Sequence, residues 1–133
     1  MAEHLAESIA VFLRENPGYR CWERLPDAFL ETGRGLPGES VLRAALELWG
    51  MGDHRNRWAA VTLLKSVPAA FLLVRWKPLE EMGEGMGHWG DVDAFAWLAG
   101  HAWREGQISD RRVHRWARSP NRWWRRASLV CTV

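Results

Sequence analysis

The stretch SVLRAALELWGMGDHRNRWAAVTLLKS, residues 40–66, reads as two helices folded on a turn. Val41, Leu42, Ala45, Leu46 and Trp49 recur at helical spacing until Gly50 and Gly52 interrupt the pattern. Asp53 is placed to cap a second helix, on which Trp58, Val61, Thr62 and Lys65 share a stripe. Such a hairpin has nothing of a strand in it: apolar and polar residues never alternate for long, here or elsewhere in the chain. Val, Ile and Thr are sparse, whereas Ala, Leu, Arg and Glu are plentiful. The class expected is all-α.

Toward the N-terminus, Leu5, Ile9, Phe12 and Leu13 predict a helix ended by Pro17-Gly18, and residues near 20–31 a second one disturbed by Pro26. GRGLPGES, residues 33–40, reads as a loop whose Ser40 caps the helix of the hairpin. Toward the C-terminus a turn and helix run from Pro68 to Trp76, Pro78 restarts the chain, and the glycines of residues 83–90 loosen it. Asp91 then predicts a capped helix to about Glu105, Ser109 one over 110–118, and Ser119-Pro120 a last helix reaching the terminus.

Successive hairpins with short joins fit HEAT-like repeats stacked as an α-solenoid, and they equally fit a plain helical bundle. At 133 residues the chain can bury one core and is short for two ordinary domains, so 1–133 is expected to be a single domain. It stops inside the apolar run Ala127, Leu129, Val130 without a polar closing helix, which predicts a stack lacking its last repeats. A monomer is the expected state, the uncapped face being the surface through which an oligomer would form.

Ten tryptophans stand out, as do sixteen arginines against only Lys65 and Lys77. Arginine's planar fork grips phosphate and stacks on rings in a way an ammonium cannot match. The net charge of +2 is also sorted: residues 101–133 carry eight arginines against Glu105 and Asp110, while the first hundred residues are net acidic. This asymmetry implies an anionic partner for one end, nucleic acid being the commonest, and a solvated basic face is the plainer alternative. Two cysteines, Cys21 and Cys131, are too few for a disulfide framework, the opening MAEHLAES is no signal peptide, and the longest apolar run, Val67 to Val74, is too short to span a bilayer. These features predict a reduced, cytoplasmic protein without membrane insertion.

Several motifs can be set aside. Gly33, Gly35 and Gly38 match G-x-G-x-x-G, as do Gly85, Gly87 and Gly90, but neither follows a strand. His4, His54, His88, His101 and His114 fall one to an element without the pairing a metal site needs, so neither metal nor cofactor is expected. No serine sits in a nucleophile elbow.

HWGDVDAFAWLAG, residues 88–100, places Trp89 just before a helix and Asp93 in its first turn, and RWARSPNRWWRRASLV, residues 115–130, alternates rings and guanidiniums. Together these resemble the DNA alkylation repair enzyme family, the AlkD-like DNA glycosylases built of HEAT-like repeats. That family pairs a W-x-x-x-D segment at a helix start with a downstream W…S-x-N-x-W-x-R-R-A segment. The matching residues are Trp89 and Asp93, then Trp116, Ser119, Asn121, Trp123, Arg125, Arg126 and Ala127, while HRNRWAAVTLLKS, residues 54–66, is similar to the helix preceding the site. His88 departs from the pattern, standing where many relatives carry a second tryptophan. The resemblance implies that Asp93 is the catalytic carboxylate, that Trp89 lines the lesion and that Arg126 holds the backbone of duplex DNA bearing alkylated bases. Arg115, Arg118, Arg122, Arg125 and Trp123 of the same segment are the further DNA-contacting candidates.

The residue types suit that chemistry on their own terms. An N-alkylated purine is cationic and already a good leaving group, so the barrier lies in an oxocarbenium-like sugar that a carboxylate can stabilise. A tryptophan face attracts the charged base by about 0.5–2 kcal/mol. Plainer roles compete: first-turn aspartates are favoured by the helix dipole, Trp49, Trp58 and Trp97 read as core rings, and arginines running round a helix cannot all touch DNA.

Overall fold

The computed structural model describes the backbone of residues 2–133 and the side chains of residues 4–133. Among the described residues there are nine helices and no strand: α1 (Ala2–Glu15), α2 (Asp27–Arg34), α3 (Gly38–Gly50), α4 (His54–Ser66), α5 (Pro68–Phe71), α6 (Trp76–Gly83), α7 (Trp89–Arg104), α8 (Asp110–Ala117) and α9 (Arg122–Cys131). The fold is all-α. The helices group into two compact units, Met1–Leu73 and Val74–Val133.

In the first unit the hairpin of residues 40–66 is the centre. Helices α3 and α4 pack along each other, and α1 and α5 lie against α3. Asp53 caps α4 as its sequence position predicts, its carboxylate accepting from the backbone N–H groups of Arg55 and Asn56. Leu5, Ile9, Leu13, Val41, Leu48, Val61, Leu63 and Leu64 are buried together by their helical spacing. Arg55 fastens α4 to the end of α1: its guanidinium donates to the carbonyls of Leu13 (2.6 Å), Asn16 (3.0 Å) and Tyr19 (2.7 Å). Each of those carbonyls, at the end of α1 and in the turns after it, also accepts a backbone N–H, from Asn16, Tyr19 and Cys21 respectively, so Arg55 adds a second donor to each.

The second unit is built on α7, against which α6 and α9 pack, with α8 beside α9. Its core is a ring cluster. Phe95 of α7 meets Trp116 of α8 at 5.6 Å and Trp124 of α9 at 5.5 Å, and the two indoles lie 5.2 Å apart. Polar ties complete it: Trp116 Nε1 donates to Glu80 (3.1 Å), Trp103 Nε1 to Asp110 (2.7 Å) and Ser128 Oγ to the Val113 carbonyl (2.9 Å). Helix α7 comes so close to the end of α9 that a β-carbon on Gly100 would lie 2.6 Å from the Cys131 carbonyl oxygen. Gly100→Ala sets a helix preference of about 1 kcal/mol against an overpacking cost of roughly 1–3 kcal/mol. A net loss of stability is the expected outcome, seen as a lower denaturation midpoint.

Several boundaries differ from the sequence expectation, each for a local reason. Residues 20–24 form turns, and Pro26, which fits only outside or at the first turn of a helix, flanks α2 instead of disturbing it. Gly33 and Arg34 close α2 and α3 begins at Gly38, so Ser40 lies inside the first turn and caps nothing. The helix expected from Pro68 to Trp76 is the four-residue α5; Trp76 opens α6, with Pro78 in the first turn where its missing N–H costs nothing. Helix α7 begins at Trp89, capped by His88 Nδ1 accepting from Gly90, rather than by Asp91. Asn121, not Ser119, caps α9 by accepting from the Trp123 N–H, while Ser119 Oγ holds the Asn121 N–H in the preceding turn. Ser109 caps α8 as expected.

Candidate functional site

Helix α7 is buried along most of its surface. Val92, Ala94, Phe95, Ala96, Leu98 and Ala99 are covered, and the exposed exceptions in its first three turns are Trp89, Asp93 and Trp97. These are spaced four residues apart and therefore lie one above another on a single stripe. Trp89 is the first residue of the helix, not the residue before it, and Asp93 falls in the second turn, not the first. That shift matters for Asp93, because the attraction of the helix dipole for a carboxylate fades beyond the first turn. The acid that serves the helix start is Asp91, which is buried and accepts from the Gly87 N–H at 3.3 Å. Asp93 is exposed, and no hydrogen bond or ion pair engages its side chain among the described residues. It is left free for another partner.

Helix α9 supplies the neighbours. Trp123 and Arg126 lie one turn apart and face the start of α7. The guanidinium of Arg126 covers the Trp89 ring, its Cζ 3.5 Å from the ring centroid, and Trp123 meets the same ring edge to face at 5.9 Å and 88°. Arg122 lies over Trp123 at 4.6 Å. Cations and indoles thus follow one another in the order Arg122, Trp123, Trp89, Arg126. Buried against this stack, Arg126 Nε has no hydrogen-bond partner among the described residues, and the contact of the guanidinium is with the ring. Trp89 nevertheless remains 54% exposed.

Of the other candidates, Arg125 turns back to donate to the carbonyls of Ser119 and Pro120, both at 2.9 Å, where it braces the turn before α9. Arg115 and Arg118 lie elsewhere: with Arg111, Arg112 and His114 they line an open concavity on α8 that includes none of the Trp89 cluster. Arg112 is committed within the unit, stacked 3.8 Å over Trp76 and paired with Glu80 at 3.4 Å. Trp97, read from the sequence as a core ring, is 41% exposed and belongs to the α7 stripe, whereas Trp49 is buried as expected. The spacing Trp89, Asp93, Trp97 was the signal for it, masked by the number of apolar residues between.

The two cysteines stand apart from this chemistry. Burial raises the Cys21 thiol above its ordinary value and pushes that of Cys131 up to about 11, outweighing the opposing pull of Arg55 and Arg104 respectively. Neither offers a thiolate nucleophile at neutral pH. Among the described residues no group of three His, Cys, Asp or Glu side chains is placed to hold a metal, and no helix is long and apolar enough to cross a membrane.

A ring with a planar cation upon it, beside an uncommitted carboxylate one helical turn away, is the arrangement in which the W-x-x-x-D and W-x-R-R-A segments meet. The sequence profile of the DNA alkylation repair enzyme family matches residues 27–133, most of the chain. The chain belongs to that family. No curated protein and no solved structure matches it. Membership places the chain among the enzymes of DNA alkylation repair. The match includes all of α7, α8 and α9, and hence every residue of the Trp89 cluster as well as Asp93.

Proposed function

We propose that this repair enzyme is a DNA N-glycosylase that releases cationic alkylated purines, of 3-methyladenine or 7-methylguanine type, from duplex DNA. The observation that carries the reading is the α7 stripe at the Arg126 stack: Trp89 already receives a planar cation on its face, and Asp93 stands free one turn away. A cationic base is the same kind of partner for the ring. Its glycosidic bond breaks with the electron pair going to the base, which departs neutral and needs no general acid. The sugar left behind carries positive charge, which the Asp93 carboxylate stabilises while orienting water onto C1′. Water supplies the hydroxyl, and its proton passes to the carboxylate or to solvent, leaving an abasic site.

In this reading Arg126 and Arg122 serve the DNA backbone near the lesion, Trp123 supports the lesion ring, and Arg115 and Arg118 contact phosphates farther along. Arg125 contributes chiefly by shaping the turn before α9. The helices are taken as HEAT-like repeats presenting this face to the duplex. The experiment is incubation of the chain with methylated duplex DNA and chromatography of the products: free alkylated base in equal amount with abasic sites is expected, and intact DNA would refute the reading.

One observation favours a second reading, a DNA-binding module without catalysis. Arg111 and Arg115 on one exposed face of α8 and Arg118 at its C-cap lie close together, and none has an ion pair or side-chain hydrogen bond among the described residues. Like charges so spaced destabilise a helix by about 0.2–0.5 kcal/mol per pair, a cost an anionic partner would relieve. Duplex affinity should fall with salt, and each arginine removed from a phosphate should reduce the log–log slope by about 0.9. Salt-dependent binding without base release would select this reading.

A further inference from the structure

We infer that Trp97 forms a second wall of the lesion site, on the far side of Asp93 from Trp89, and sets the preference for a damaged over an undamaged duplex. The inference rests on the glycosylase reading above and adds a residue to it. Trp97 is as exposed as Trp22 and Trp76, and what sets it apart is its place on α7, most of whose other large apolar side chains are buried. Trp97 follows Asp93 by four residues on the same exposed stripe. Helical side chains lean toward the N-terminus, so the ring of Trp97 covers the turn that carries Asp93, and the Asp93 carboxylate leans toward Trp89. Along the exposed stripe Asp93 is therefore flanked by a tryptophan one turn to either side, in the order Trp89, Asp93, Trp97.

The two rings are not equivalent. Trp89 is committed to Arg126 on one face and to Trp123 at an edge. Trp97 lies two turns along α7 from Trp89 and one turn beyond the free carboxylate, with 41% of its surface exposed. There it is suited to pack against the sugar and base of the nucleotide at Asp93, excluding water from one side of the developing cation. Less water strengthens the attraction between that cation and the carboxylate.

The test compares the parent chain with Trp97→Ala, Trp97→Phe and Trp22→Ala, the last removing another exposed tryptophan from the first unit. Each is titrated with a duplex containing one 7-methylguanine and with the same duplex undamaged, and base release is followed in single turnover. Trp97→Ala is expected to lose roughly tenfold in preference for the damaged duplex and in release rate, as for loss of one stacking ring. Affinity for the undamaged duplex, measured at a temperature where every variant is folded, should not change, Phe should restore most of the loss, and Trp22→Ala should match the parent. If Trp97→Ala keeps the preference, or if its affinity for both duplexes falls in parallel, the inference is overturned while the glycosylase reading stands. A parent chain that neither prefers the damaged duplex nor releases base overturns both.

Discussion

Replacing Phe95 with alanine is expected to lower the stability of the second unit by about 3–5 kcal/mol, a large share of the roughly 5–15 kcal/mol on which a typical domain rests. The ring is fully buried and holds Trp116 and Trp124 at 5.6 and 5.5 Å, so its loss opens a cavity between three helices at once. The surrounding indoles are too large and too well fixed, one by its hydrogen bond to Glu80, to collapse into the space. Phe95→Leu keeps most of the volume and should cost less than about 1.5 kcal/mol. Chemical denaturation followed by tryptophan fluorescence measures both. A loss below about 1 kcal/mol for the alanine variant would show that the cluster is not the core of this unit. Because Phe95 lies two residues beyond Asp93 on α7, the alanine variant should also blur the site that α7 presents.

The fold was legible where one residue type had one physical use. Asp53 and Ser109 read as caps and act as caps, since each stands immediately before an amphipathic run. The hairpin of residues 40–66 could be read from glycines between two helical stripes. Starts with several eligible polar residues were harder. At residues 88–93 the chain offers His88, Asp91 and Asp93, and only the backbone geometry shows that His88 caps, Asp91 braces the turn and Asp93 does neither. At residues 119–121 Ser119 and Asn121 compete in the same way, and Asn121 takes the cap.

The candidate site was legible as a set of residues but not as an arrangement. Trp89, Asp93, Trp123 and Arg126 could be named from their segments, yet nothing in the spacing says that Arg126 lies on the Trp89 ring, because that contact joins residues thirty-seven apart in the chain. Nor could the arginines be sorted. Arg112 and Arg125 are held by Glu80, Trp76 and backbone carbonyls, whereas Arg111, Arg115 and Arg118 face outward, a division set by which neighbour each side chain can reach. Trp97 was misread because hydrophobicity around it is nearly continuous, which masks its four-residue spacing from Asp93 and Trp89.

Asp93→Asn should slow base release by roughly 10²–10³-fold, the range found when one preorganised electrostatic partner of a transition state is removed. The substitution keeps the shape and deletes the charge. Since no hydrogen bond or ion pair among the described residues uses the Asp93 side chain, stability should stay within about 0.5 kcal/mol of the parent, and DNA affinity should not fall. The same exchange at Asp91, which is buried and hydrogen-bonded to the start of α7, should instead reduce stability. The contrast separates a carboxylate used in chemistry from one used in folding. The most direct measurement is single-turnover release of 7-methylguanine from a duplex, with protein in excess and equal DNA occupancy for the parent and Asp93→Asn. Base release by the parent with a loss of at least about a hundredfold in the variant is the predicted result; equal rates for the two proteins would contradict it.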